Sequence, residues 1–132
     1  MKNPNFTAIV LAAGLGTRMK SSRPKVLHRA AGRTLLGHVV YGLKQAGVSD
    51  IRAVVGFGAD QVREAFAGEK NLGFYDQAKQ LGTADAVKSA KVSELKGIVM
   101  ICNGDHPLIT GDDYRQALEN FTAKGLDILV LS

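Results

Sequence analysis

The chain has 132 residues, 45% of them hydrophobic and 22% charged, which suits one domain around a single core and excludes intrinsic disorder. A single cysteine, Cys102, excludes an internal disulfide framework and any multi-cysteine zinc site, in keeping with a reducing compartment. Lys plus Arg number 17 against 12 Asp plus Glu, for a net charge of +5, and Arg18, Lys20, Arg23, Lys25, Arg29 and Arg33 bunch together, which points to an anionic partner.

Near the amino terminus, Lys2 and the apolar run at 8–13 superficially resemble a signal peptide. The run is short, Pro4 and Asn5 interrupt its approach, and it reads better as a buried strand over 7–12. Nowhere is there the stretch of ~20 apolar residues that a membrane helix needs, so a soluble, cytoplasmic chain without membrane contact is expected.

The strand leads into LAAGLGTRMKSSRPK at 11–25, a loop with Gly14, Gly16, Thr17, Arg18 and Lys25. Glycines let backbone N–H groups approach phosphate oxygens, and Arg18 and Lys25 supply the charge a triphosphate requires. The dinucleotide fingerprint fails because Met19 stands at the third glycine, and the P-loop pattern fails for want of GK[ST] at its spacing. Pro24 disfavours helix just before it, so Lys25 is expected on an extended loop. The basic stretch has no interleaved aromatics and no helix to enter a groove, so a small polyphosphate fits better than nucleic acid.

Further along, Thr34 is expected to cap a helix that runs to residue 45, with Leu35, Val39 and Leu43 as its apolar stripe and Gly47 as its stop. Strands at 51–55, 72–75, 98–102 and 128–131 alternate with helical patterns at 60–67, 83–95 and 112–124, the last stopped by Gly125. The alternation implies crossover connections and a doubly wound, mainly parallel α/β sheet with helices on both faces, whose ligands bind outside the carboxyl ends of the strands. After the apolar strand at 128–131 only Ser132 remains, so a truncated chain is expected. Such an end strand also suggests self-association.

Three blocks carry a resemblance: LAAGLGTRMKSSRPKVLH, then QAKQLGTADA at 77–86, then NGDHPLI at 103–109. In that order the chain resembles the amino-terminal part of the bifunctional N-acetylglucosamine-1-phosphate uridyltransferase and glucosamine-1-phosphate acetyltransferase family, within the sugar-nucleotide pyrophosphorylases. The resemblance implies a Rossmann-like nucleotide-diphospho-sugar transferase fold, with 1–132 as the nucleotide-binding half of a nucleotidyltransferase domain and no second domain. It implies transfer of UMP from UTP to N-acetylglucosamine 1-phosphate, and a product, UDP-N-acetylglucosamine, that serves peptidoglycan synthesis and cell wall biogenesis.

The resemblance also assigns residues. The backbone of Leu11, Ala12, Ala13 and Gly14, with Gly16 and Thr17, would lie against the nucleotide; Arg18 and Lys25 would hold its phosphates and act in catalysis. Gln77, Gly82 and Thr83 fall in the uracil-reading block, where an amide can match the donor and acceptor edge of a base. Asn103 and Gly104 would complete the nucleotide site, and Asp105 would ligate Mg²⁺, which favours oxygen ligands and polyphosphate. The family's sugar-binding half, the asparagine that completes its metal site and its acetyltransferase β-helix would lie beyond Ser132, so acetyl transfer is not expected. Asp85 stands where the family commonly has histidine, and His106 where it commonly has a small apolar residue.

Other readings stay open. Asp105 could be a turn or capping residue before Pro107, Gln77 could be an exposed residue ending a strand, and the first block is shared with cytidylyl and molybdopterin nucleotidyl transferases. A non-catalytic nucleotide-binding or interaction module is a further alternative. His28 and His38 read as structural, Cys102 as a buried core thiol, and His106 needs no acid-base role because a phosphate nucleophile is already ionised.

Overall fold

The central strand is β1 (Phe6–Ala12), whose near-continuous apolar sequence suits a strand covered on both faces. The computed structural model describes residues 6–13, 25–56, 58–77, 83–91, 98–104, 113–117, 119 and 128–130. After β1 come β2 (Arg29–Ala30), β3 (Arg33–Thr34), α1 (Leu35–Gln45), β4 (Asp50–Val55), α2 (Ala59–Ala65), β5 (Leu72–Asp76), α3 (Thr83–Ser89), β6 (Ile98–Asn103) and β7 (Ile128–Val130). Residues 113–117 and 119 are also helical.

Five strands form one parallel sheet in the order β5-β4-β1-β6-β7. From β1 the chain builds outward through β4 to β5, then returns to the other side of β1 to lay down β6 and β7. The direction of strand addition therefore reverses between β1 and β6, and in open α/β sheets ligands bind at the carboxyl edge near such a point. The end strand β7 pairs with β6 on one side, Val99 facing Ile128 and Ile101 facing Val130 in register.

Residue alternation along β1 separates two cores. Ala8, Val10 and Ala12 face a core with Leu36, Val39, Val40 and Leu43 of α1, Val62 of α2 and Tyr114. Ile9 faces the opposite core, with Ala86 and Ala90 from the α3 segment and Val54, Val99 and Ile101 from the sheet. Helices thus cover both faces, as the sequence implies. The α1 stripe is Leu36, Val39, Val40 and Leu43, and Leu35 is only half-buried. Steps of three and four stay on one helical face, whereas the expected succession of fours drifts off it.

Helix α1 has the expected bounds. Thr34 caps it by accepting from the Gly37 N–H at 2.9 Å. At the other end Gly47, at φ +91°, donates to Lys44 O, and Val48 donates to Leu43 O, both at 3.1 Å. That pair of bonds satisfies carbonyls a helix end leaves open, and the left-handed residue suits glycine.

Three expectations are corrected. Lys25 opens a short 3-10 turn, Lys25–Leu27, rather than lying on an extended loop, because the restriction imposed by Pro24 falls on the residue before it and not after. Helix α3 ends at Ser89 instead of 95, as Lys91 takes a left-handed φ of +57° after Ala90 and Lys91 donate to carbonyls three residues back. Helix α2 begins at Ala59 and ends at Ala65, with Phe66 leaving helical geometry and its ring 6.4 Å from that of Phe74. A hairpin unforeseen in the sequence joins β2 to β3 through Ala31 and Gly32, at φ +52° and +85°.

Among the described residues no helix is long and apolar enough to cross a membrane. Cys102 is a buried core thiol, as expected, and burial pushes its pKa up to about 12. His38 lies on α1, and its Nε2 meets the carbonyl oxygen of Ala30 in the hairpin, which accounts for it structurally.

Candidate functional site

Two pairs of adjacent strand ends at the carboxyl edge hold residues singled out in the sequence. At the first, Leu11 of β1 lies opposite Asn103 of β6, and the Gly104 N–H donates to Leu11 O at 3.0 Å. A Cβ at Gly104 would stand 3.2 Å from both Leu11 O and Val10 Cγ1, and 3.4 Å from the Ala12 Cβ. A side chain here would press on β1 and force a shift of a few tenths of an ångström, so glycine suits this close exit of β6. Ala12 and Ala13 are buried and small, so the exit of β1 adds little bulk at this edge.

At the second pair, Val55 of β4 lies opposite Asp76 of β5, and the next residue, Gln77, donates its N–H to Val55 O at 2.8 Å. This bond extends the ladder by one residue and fixes the Gln77 backbone. The Gln77 residue is only 7% exposed, so it is not the solvated strand end that the sequence left open. Its Nε2 donates to Asp85 Oδ2 at 2.9 Å. Asp85 sits in the first turn of α3, a helix that packs on β1 and β4. The neighbouring Asp76 is held by Arg63 of α2 at 2.6 Å.

Gln77 and Asn103 therefore share one edge of the sheet, three strand spacings apart, or about 14 Å at ~4.8 Å each. Between them lie the ends of β4 and β1. A ligand lying along this edge would meet an oriented amide at one end and the β1–β6 exit at the other.

Of the residues singled out in the sequence, Leu11, Ala12, Ala13, Asn103 and Gly104 come together at the β1–β6 exit, and Gln77 lies further along the same edge. Thr83 is the first residue of α3, and Lys25 begins the 3-10 turn that packs on α1. Gly14, Gly16, Thr17, Arg18, Gly82 and Asp105 lie outside the described residues, as does His106. The structure adds Asp85, whose hold on Gln77 no spacing rule could have found. It also adds Arg52, which braces α3 through an NH1 bond to Ala90 O at 2.8 Å while its guanidinium lies 5.3 Å from the Tyr75 ring.

Residues 8–132 match the family described as the MobA-like NTP transferase domain. The chain belongs to that family. Its relatives include the bifunctional protein GlmU of Bdellovibrio bacteriovorus, 44% identical over 127 residues, which cover 96% of this chain and 28% of that protein. GlmU of Brucella anthropi is 47% identical over 136 residues, covering 99% of this chain and 29% of its own length. The chain thus spans less than a third of these relatives, and the likeness is to the amino-terminal part of the GlmU proteins that its three sequence blocks resemble.

Solved structures agree on the fold of this NTP transferase domain. The crystal structure of HddC from Yersinia pseudotuberculosis, complexed with GMP-PN, superimposes with a TM-score of 0.69 at 27% identity, over 87% of this chain and 53% of HddC. A Methanothermobacter nucleotidyl transferase gives a TM-score of 0.72 at 24% identity, over 87% of this chain and 57% of its own.

Proposed function

We propose that residues 1–132 form the nucleotide-binding half of a uridylyltransferase domain that moves UMP from UTP to N-acetylglucosamine 1-phosphate, releasing pyrophosphate. The observation that carries this reading is the buried Gln77 amide, oriented by Asp85 at the carboxyl edge where the β1 and β6 exits also lie. The GlmU likeness over nearly the whole chain supports the choice of substrates.

In this reading Gln77, with Gly82 and Thr83, takes the base, while the backbone of Leu11, Ala12 and Ala13, then Gly14, Gly16 and Thr17, follows the nucleotide toward its phosphates. Asn103 and Gly104 close the far side. Arg18 and Lys25 hold the triphosphate and offset the charge that builds as a sugar-phosphate oxygen attacks the α-phosphorus and pyrophosphate leaves opposite. No side chain acts as a nucleophile, and no general base is needed.

Among the described residues no three His, Cys, Asp or Glu side chains gather as a metal cage. In this reading Asp105 supplies one carboxylate and the substrate's own phosphate oxygens supply further ligands, a donor set that suits Mg²⁺. Asp105 directly follows Gly104, whose amide is seated on β1. When bound, the ion would neutralise phosphate charge and hold the triphosphate for in-line displacement.

The test is pyrophosphate release by the full-length protein from N-acetylglucosamine 1-phosphate with UTP, CTP or GTP. Release with UTP above the others supports the reading, and a preference for CTP moves the protein to the cytidylyl class. Lys25→Ala is expected to lower turnover by at least about tenfold with little change in melting temperature. A parallel fall in rate and melting temperature would make Lys25 structural.

A further inference from the structure

We infer that Asp85 is a positioning residue that sets nucleobase selection by locking the Gln77 side-chain amide in one of its two flip states. The inference rests on the reading of Gln77 as the residue that meets the base.

A glutamine amide presents a carbonyl oxygen on one side and an NH₂ group on the other, and a half-turn about its last bond exchanges them. Left to rotate, it can pair with the donor-acceptor edge of uracil or, flipped, with the complementary edge of cytosine. A carboxylate removes that freedom because it only accepts. At 2.9 Å from Asp85 Oδ2 the Gln77 atom must be Nε2, since Oε1 there would set two acceptors against each other. The Gln77 backbone is itself anchored to Val55 O, so the amide cannot escape by shifting the main chain.

Locking Nε2 on Asp85 turns Oε1 to the other side. A carbonyl oxygen has two lone pairs, so Oε1 can accept from a base N–H in addition to any bond it makes within the protein. Uracil offers an imino N3–H to such an acceptor. Cytosine offers a lone pair at N3 and meets Oε1 with repulsion. Selection thus comes as much from rejecting cytosine as from binding uracil.

Asp85 belongs to α3 rather than to the strand end it serves, and the helix is held in place independently. Ala86 and Ala90 pack into the second core, and Arg52 bonds the Ala90 carbonyl. Changing the Asp85 side chain therefore leaves the helix its own support.

The test compares UTP and CTP affinity by calorimetry, in Mg²⁺, for the unaltered full chain and for Asp85→Asn and Asp85→Ala. Asp85→Asn is nearly isosteric, but its amide can accept from Nε2 or donate to Oε1, so both flip states become available. The expected result is a preference of the unaltered chain for UTP that falls by about tenfold in Asp85→Asn and at least as far in Asp85→Ala, mainly through tighter CTP binding. A purely structural role would weaken both nucleotides together and leave their ratio unchanged. An unchanged ratio in Asp85→Asn, with UTP still preferred, would overturn the role of Asp85 while leaving the uridylyltransferase reading intact. A chain that shows no UTP preference before any substitution would overturn both.

Discussion

A methyl group added at Gly104 measures how closely β6 turns against β1. It would meet a backbone carbonyl of the central strand at 3.2 Å, which cannot swing aside, so Gly104→Ala is expected to cost about 1–3 kcal/mol in urea unfolding. No loss of stability would mean that this exit is looser than described. Titration supplies a second expectation. Burial raises the Cys102 thiol from an ordinary 9.0 to about 12, and it raises the Tyr114 phenol too, with the charges of Cys102 and Asp113 adding to the effect. Both groups have raised folded values, so their stabilisation is complete below their unfolded pKa values and is lost as pH climbs toward the folded ones. The urea midpoint should fall between about pH 8 and about pH 10.5, and fall less in Cys102→Ala; equal falls would remove the thiol from the cause. The buried thiol was legible in the sequence because Cys102 ends an apolar run. The Gln77–Asp85 bond was not, since two polar residues eight apart meet only once the strand end and the helix have been docked.

At the scale of the element, α1 depends on a cap that two residues share. Thr34→Ala removes the oxygen that accepts from Gly37 N–H and is expected to cost about 1 kcal/mol. Gly37→Ala places a Cβ 2.8 Å from that same Oγ1 and should displace it. The two losses are therefore coupled, and the double variant should lose less than the sum of the singles in urea unfolding. Strict additivity would mean that the two substitutions act on separate contacts. The bounds of α1 were legible because Thr34 and Gly47 mark them chemically. The hairpin β2–β3 escaped because two-residue strands carry no alternation to read, and its turn is Ala31–Gly32 rather than an asparagine-glycine pair. The end of α3 escaped because no glycine or proline signals it, and Lys91 takes up the left-handed conformation itself.

For the whole molecule, the alternation of strands and helices fixed a parallel α/β sheet in advance, while the strand order and the residues that meet at its carboxyl edge needed the structure. Order depends on which strands share registers, and apolar runs of similar length do not encode that choice individually. Residues 11–13 and 103–104 nonetheless meet where the order reverses, and Gln77 shares their edge. If this edge is a preformed nucleotide site, the full chain should bind UTP without rearranging. The most direct measurement is a calorimetric titration with UTP, CTP, GTP and ATP, each with and without Mg²⁺, alongside a circular dichroism melt. Selective binding of UTP, strengthened by Mg²⁺, is the expected result; a cooperatively folded chain that binds none of the four, or all four alike, would contradict it.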